Sequence, residues 1–114
     1  MSSVFKGFET KEITLESADL NPGEVAMFTD SLVVYNPEKN QVFCGVCNAV
    51  REGYASVVIN GYAKTTFTGS APHLGYQKLS SNGEGGVMVD EENGREYLIV
   101  GINGSDSTVE FIVK

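Results

Sequence analysis

Residues 86–113 read GVMVDEENGREYLIVGINGSDSTVEFIV, and this stretch decides the fold. Three apolar runs, Gly86 to Asp90, Glu96 to Ile102 and Thr108 to Val113, are parted by Asn93-Gly94 and Asn103-Gly104. In the last run Val109, Phe111 and Val113 alternate with Thr108 and Glu110, the period of a strand with one face on a core. Asn-Gly between such runs predicts type I′ hairpin turns, because both central residues of that turn need positive φ. The stretch therefore reads as a β meander.

The same grammar extends upstream. Tyr54 to Asn60 and Gly61 to Phe67 form a long β stretch broken by Asn60-Gly61, which predicts either a two-residue hairpin or a bulge. Ala55, Val57 and Ile59 are expected to face the core, and Tyr54, Ser56 and Val58 to face away. Val25 to Phe28 and Leu32 to Tyr35 read as a hairpin around Thr29-Asp30-Ser31, and Gln41 to Val50 as a further strand containing Gly45. Thr68 to Gly75 and Gly83 to Gly86 read as ordered loops. No segment of eleven or more residues carries apolar positions at helical spacing. The nearest, Ile13 to Leu20, leaves room for one helical turn at most before Asn21-Pro22-Gly23.

Roughly eight or nine short strands with frequent turns predict an all-β protein with little or no helix. The expected form is a small single-domain β-barrel or β-sandwich, with a β-clip-like arrangement also open. Residues 13–114 form that domain. Residues 1–12 read as an N-terminal arm that holds Phe5 and Phe8 among charged neighbours.

A length of 114 residues suits one domain with a core that needs no metal or disulfide staple. Gly 13 in that length exceeds the usual ~7% and fits a turn-rich chain. Lys+Arg 8 against Asp+Glu 15 leaves a formal charge of −7. That balance argues against nucleic acid or an anionic membrane surface as partner, because phosphate binding needs clustered cations. No apolar run approaches the ~18 residues of a membrane span. The opening MSSVFKGF lacks an apolar stretch of secretory type. Ordinary export and a membrane location are therefore not expected.

Catalytic equipment is sparse. Cys44-Gly45-Val46-Cys47 is a C-x-x-C, but a redox dithiol wants its first cysteine at a helix N-terminus. Within a strand, residues three apart point to opposite faces, so two reduced, partly buried thiols are expected. Zinc would need a second pair of ligands, and His73 alone is a poor complement. His73 lies in Ala71-Pro72-His73-Leu74-Gly75 with no carboxylate or nucleophile marked as its partner. Asp90-Glu91-Glu92-Asn93-Gly94 lacks the alternation of a calcium loop and reads as a solvated hairpin tip. Gly83-Glu84-Gly85-Gly86 lacks the lysine and helix of a phosphate loop. Asn103-Gly104-Ser105 matches the glycosylation triplet, yet in a chain without a secretory stretch it reads as a turn. Tyr35, Tyr54, Tyr62, Tyr76 and Tyr97 have no interleaved cations, so they fit strand ends or a subunit interface better than nucleic acid. No enzyme activity, cofactor or metal is expected.

One order of motifs goes further. It runs from Gly23-Glu24-Val25 through Phe43-Cys44-Gly45-Val46 and Ala55-Ser56-Val57-Val58-Ile59-Asn60-Gly61-Tyr62-Ala63 to Phe67-Thr68-Gly69-Ser70-Ala71-Pro72. Gly75, Gly83-Glu84-Gly85-Gly86-Val87 and Gly94-Arg95-Glu96-Tyr97-Leu98-Ile99-Val100 follow. Over residues 23–114 this order resembles small phage and prophage capsid accessory proteins of the cement or decoration type. The resemblance implies a non-enzymatic protein of the capsid surface, made in the bacterial cytoplasm, that binds the major capsid protein. It implies a homo-oligomer, a trimer first and a dimer second. The expected capsid or subunit contacts are Phe5 and Phe8 on the arm and His73, Leu74 and Tyr76 in and beside the loop. The alternative reading is a small acidic barrel that binds a carbohydrate or a protein ligand.

Overall fold

The computed structural model describes residues 11–17 and 19–113. It contains nine strands: β1 (Lys11–Ser17), β2 (Val25–Phe28), β3 (Val33–Tyr35), β4 (Gly45–Arg51), β5 (Tyr54–Thr66), β6 (Gly75–Ser81), β7 (Val87–Val89), β8 (Arg95–Asn103) and β9 (Thr108–Val113). No helix occurs among the described residues. Their order is β1-β3-β2-β4-β5-β9-β8-β6-β7, and β1 also pairs with β5. The second pairing closes β1, β3, β2, β4 and β5 into a five-stranded barrel, which leaves no open edge in that half. The expected all-β barrel is what forms.

β5 organises the whole molecule. Its first half pairs with β4 and β1; its second half pairs with β9. Asn60-Gly61 is therefore neither a hairpin nor a break. The strand runs on for 13 residues, and Gly61, at φ 121°, marks the change of partner from Lys11 to Val113. Odd-numbered positions face inward along its length. Ala55 and Val57 enter a cluster with Leu20, Ala26, Val34 and Cys47 inside the barrel. Ala63 and Phe67 enter a second cluster under β6, β8 and β9. An isolated parallel bridge from Phe67 to Val87 ties the far strand β7 back to the end of β5.

The second cluster is built on three rings. Phe43 stacks on Tyr97 with centroids 5.0 Å apart, and Phe111 meets Phe43 edge-on at 6.1 Å. The Tyr97 hydroxyl donates to the Phe43 carbonyl at 3.1 Å, so the one polar atom of this stack is satisfied. Tyr97 is thus a core residue, not an interface tyrosine. Val109, Phe111 and Val113 are all fully buried, as their alternation predicts.

Several expectations need correction. Ile13–Ser17 is strand, not a helical turn. Ile13 and Leu15 pack on the barrel cluster from alternate positions, and pairing with β5 supplies the backbone bonds. That strand begins at Lys11, so the last two residues assigned to the arm are paired in the sheet; Phe5 and Phe8 lie outside the described residues. Residues 41–44 precede β4 and do not join it. Gly75–Ser81, where the sequence pattern predicts no strand, is β6 and lies between β7 and β8. Val58 turns away from Ala55 and Val57, as its parity requires, yet is buried on that side rather than exposed.

Neither Asn-Gly pair forms a type I′ turn. Residues 93, 94, 103 and 104 keep negative φ because side chains hold wider turns. Asp90 Oδ1 accepts from the backbone N–H of Glu92 and Asn93, and Asn103 Oδ1 accepts from Ser105 and Asp106. β7 and β8 flank β6 instead of pairing with each other. The two-residue hairpin is elsewhere: Glu52 and Gly53, at φ 49° and 83°, join β4 to β5 between the paired Arg51 and Tyr54.

Candidate functional site

The residues singled out beside the loop do fall together. His73 and Leu74 precede β6, and Tyr76 is its second residue. The His73 backbone N–H donates to Gln77 Oε1 at 2.9 Å, and its ring Nδ1 lies 2.9 Å from the Leu74 carbonyl. Leu74 and Tyr76 are the two most exposed large apolar residues of the described chain, at 64% and 65%.

Strand register shows what surrounds them. On β6 the odd residues Gln77 and Leu79 point inward, so Tyr76 and Lys78 point out. Tyr76 stands opposite Leu98, Leu98 opposite Ile112, and Ile112 opposite Tyr62. Directly opposed residues share a face, so these four side chains make one row across β6, β8, β9 and β5. Val100, 37% exposed, sits at the register shift of β8 beside this row.

Charged residues run along both sides of the row. Lys78 stands opposite Glu96 in the strand register on one side, and Lys64 stands opposite Glu110 on the other. The Tyr62 hydroxyl donates to Glu110 Oε2. Burial, and then the Glu110 carboxylate, push the Tyr62 phenol up to about 12. It therefore stays a hydrogen-bond donor at any physiological pH. Two lysines against two glutamates leave this face neutral, on a chain of net charge −7.

Leu98 and Ile112 were not singled out from the sequence, although a signal was there. Tyr97 to Val100 is apolar without a break, which means both faces of that strand are apolar. Ile112 has the parity of Thr108 and Glu110, so it must point outward.

A second surface lies on the barrel. Thr14, Ala49, Arg51, Glu52, Tyr54 and Ser56 line an open depression of about 390 Å³ on the outside of β1, β5 and β4. Tyr54 is 54% exposed there, and Thr14 Oγ1 and Ser56 Oγ share a hydrogen bond of 3.2 Å.

The remaining reactive groups sit apart from both surfaces. Cys44 and Cys47 are free thiols, half-buried and buried, and burial pushes both thiols up from the ordinary value. Among the described residues no three of His, Cys, Asp and Glu gather to hold a metal ion. The acidic run is not a uniformly solvated tip. Asp90 is buried and accepts from Ser80, Asn40, Glu92 and Asn93, and these bonds, led by the Asn93 N–H, hold its carboxyl down at about 2. Comparison with family models, with curated proteins and with solved structures finds no match.

Proposed function

We propose that this chain is a structural protein of a phage or prophage capsid, an oligomeric cement or decoration protein that binds and stabilises the shell without catalysing a reaction. The observation that supports the reading best is the outward row Tyr76, Leu98, Ile112 with Leu74 at its end, mounted on a sheet backed by a packed aromatic core. A shell offers the same contact many times. A stiff tile that engages several subunits gains avidity even when each contact is modest. The arm residues Phe5 and Phe8 and the loop residue His73 are the proposed contact with the major capsid protein on the capsid surface, while the row serves association between copies of the chain.

Co-sedimentation with empty shells assembled from a major capsid protein, taken from any capsid gene found next to that of this chain, tests the reading. Saturable binding at a fixed number of copies per shell is expected, and removal of residues 1–10 should weaken it. Removal should stop there, since Lys11 and Glu12 pair in the barrel. A protein that stays in the supernatant at every ratio would overturn the proposal.

The depression beside Tyr54 favours a second reading, a saccharide-binding module. An exposed phenol ring flanked by hydroxyls, an arginine and a glutamate is the chemistry that stacks on and hydrogen-bonds a sugar ring. Glycan-array binding lost in Tyr54→Ala, together with indifference to shells, would select it.

A further inference from the structure

We infer that the outer face of β6, β8, β9 and β5 is a two-fold interface, and that its occupant is a second copy of this chain. The inference rests on the shell-binding reading for why a second copy is needed, and on geometry for where it sits.

The anatomy of the face comes first. An association patch has an apolar centre and a polar rim. Here Tyr76, Leu98, Ile112 and Tyr62 form the centre, while Lys78 with Glu96 and Lys64 with Glu110 form the two sides. The chemistry of the rim then chooses the partner. Copies of a chain with charge −7 repel each other across most of their surface. Across this face they do not, because each side of the row presents one lysine beside one glutamate. A two-fold axis brings the same patch against itself, so a patch must complement itself. Rows holding both signs do so: the lysines of one copy reach the glutamates of the other. An acidic partner would gain nothing from the glutamates, and a basic partner nothing from the lysines.

Size sets the strength. Four strands about 4.8 Å apart and three outward rows about 6.8 Å apart span roughly 400 Å² per copy. Two copies bury about 800 Å², the range of weak, reversible association. The dimer is therefore expected to be concentration-dependent in free solution and to become persistent when copies are held side by side on a lattice.

Sedimentation velocity from about 1 μM to about 1 mM tests this. A monomer–dimer equilibrium is expected. Tyr76→Lys should raise the dissociation constant at least about tenfold with an unchanged circular dichroism spectrum and melting curve. Tyr54→Lys, on the outside of the other sheet, should leave it unchanged. If Tyr76→Lys fails to fold, Lys78→Glu replaces it, because that residue is exposed and its reversal puts a like charge beside Glu96. A monomer at every concentration would overturn the inference. So would a closed trimer, or a dimer insensitive to both Tyr76→Lys and Lys78→Glu. A Tyr76-dependent dimer that ignores shells would keep this interface and overturn the shell reading. A monomer that still decorates shells would do the reverse.

Discussion

Asn40 and Asp90, fifty residues apart in the chain, are joined by a hydrogen bond of 2.9 Å from the amide Nδ2 to the carboxylate Oδ2. The same oxygen accepts from the Ser80 hydroxyl at 2.9 Å, and the other carboxylate oxygen closes the turn after β7. One ionised side chain therefore ties the loop before β4, the strand β6 and the turn into β8.

This arrangement predicts an acid transition. The Asp90 carboxyl is held at about 2 against an ordinary 3.8. A depressed folded value means that the stability it lends is whole above about pH 4 and fades as pH falls toward 2. Asp90→Asn should cost about 2 kcal/mol at neutral pH, since the new amide hydrogens would face the donors Asn40 and Ser80. Urea unfolding at several pH values checks both parts. The variant should also lose less stability than the parent between pH 4 and pH 2; identical pH profiles would remove Asp90 from the account.

Gly45 carries the second prediction. It begins β4, pairs with Ala26, and lies so close to β5 that an added Cβ would stand 2.0 Å from the Val58 carbonyl oxygen and 2.9 Å from Val57 Cγ1. The obstacle is backbone, so the sheet itself must shift. Gly45→Ala should destabilise by about 3 kcal/mol in chemical denaturation, at the upper end of what overpacking costs. Gly53→Ala, which meets no atoms but keeps φ at 83°, should cost only about 1 kcal/mol. Equal costs for the two would show that close approach at Gly45 does not matter.

The strands β8 and β9 and the long central stretch were legible because period-two alternation survives any tertiary context, whereas the expected meander does not form, since β7 pairs with β6 and not with β8. Val109, Phe111 and Val113 must share a face whatever the strand order. Turn types were less legible. Asn-Gly favours type I′ by propensity, yet Asp90 and Asn103 offer the backbone N–H groups competing acceptors, and those wider turns prevailed. β6 escaped notice because Gly75–Ser81 mixes buried serines with an exposed tyrosine, so its pattern does not alternate in hydropathy. The candidate face was half legible for the same reason. Leu74 and Tyr76 stand out in a loop context, but Leu98 and Ile112 acquire meaning only once register sets them beside Tyr76. Strand order is long-range information that no local pattern holds.

The cysteines give a third prediction. Both thiols are pushed up, chiefly by burial, so the thiolate fraction at neutral pH is small. Native alkylation by iodoacetamide should run at least about tenfold slower than in urea, with half-buried Cys44 reacting before buried Cys47. Mass spectrometry of timed samples gives both rates. Equal rates in the native and unfolded states would restore a redox role to the C-x-x-C.

The last prediction concerns the β2–β3 hairpin. Leu32 sits at φ 61° and is 54% exposed, a conformation that a branched apolar side chain adopts at a cost of about 1 kcal/mol. The turn does not depend on that side chain. The Leu32 N–H donates to the Thr29 carbonyl at 2.8 Å, and Thr29 Oγ1 accepts from the N–H groups of Ser31 and Val33. Leu32→Asn keeps every one of these bonds and places in the left-handed region a residue that tolerates it. The variant should therefore be more stable by about 0.5–1 kcal/mol, read as a higher urea midpoint with an unchanged slope. If its stability falls instead, Leu32 packs on something that outweighs the strain. If stability rises while shell binding drops, the exposed pair Phe28 and Leu32 joins the contact surface.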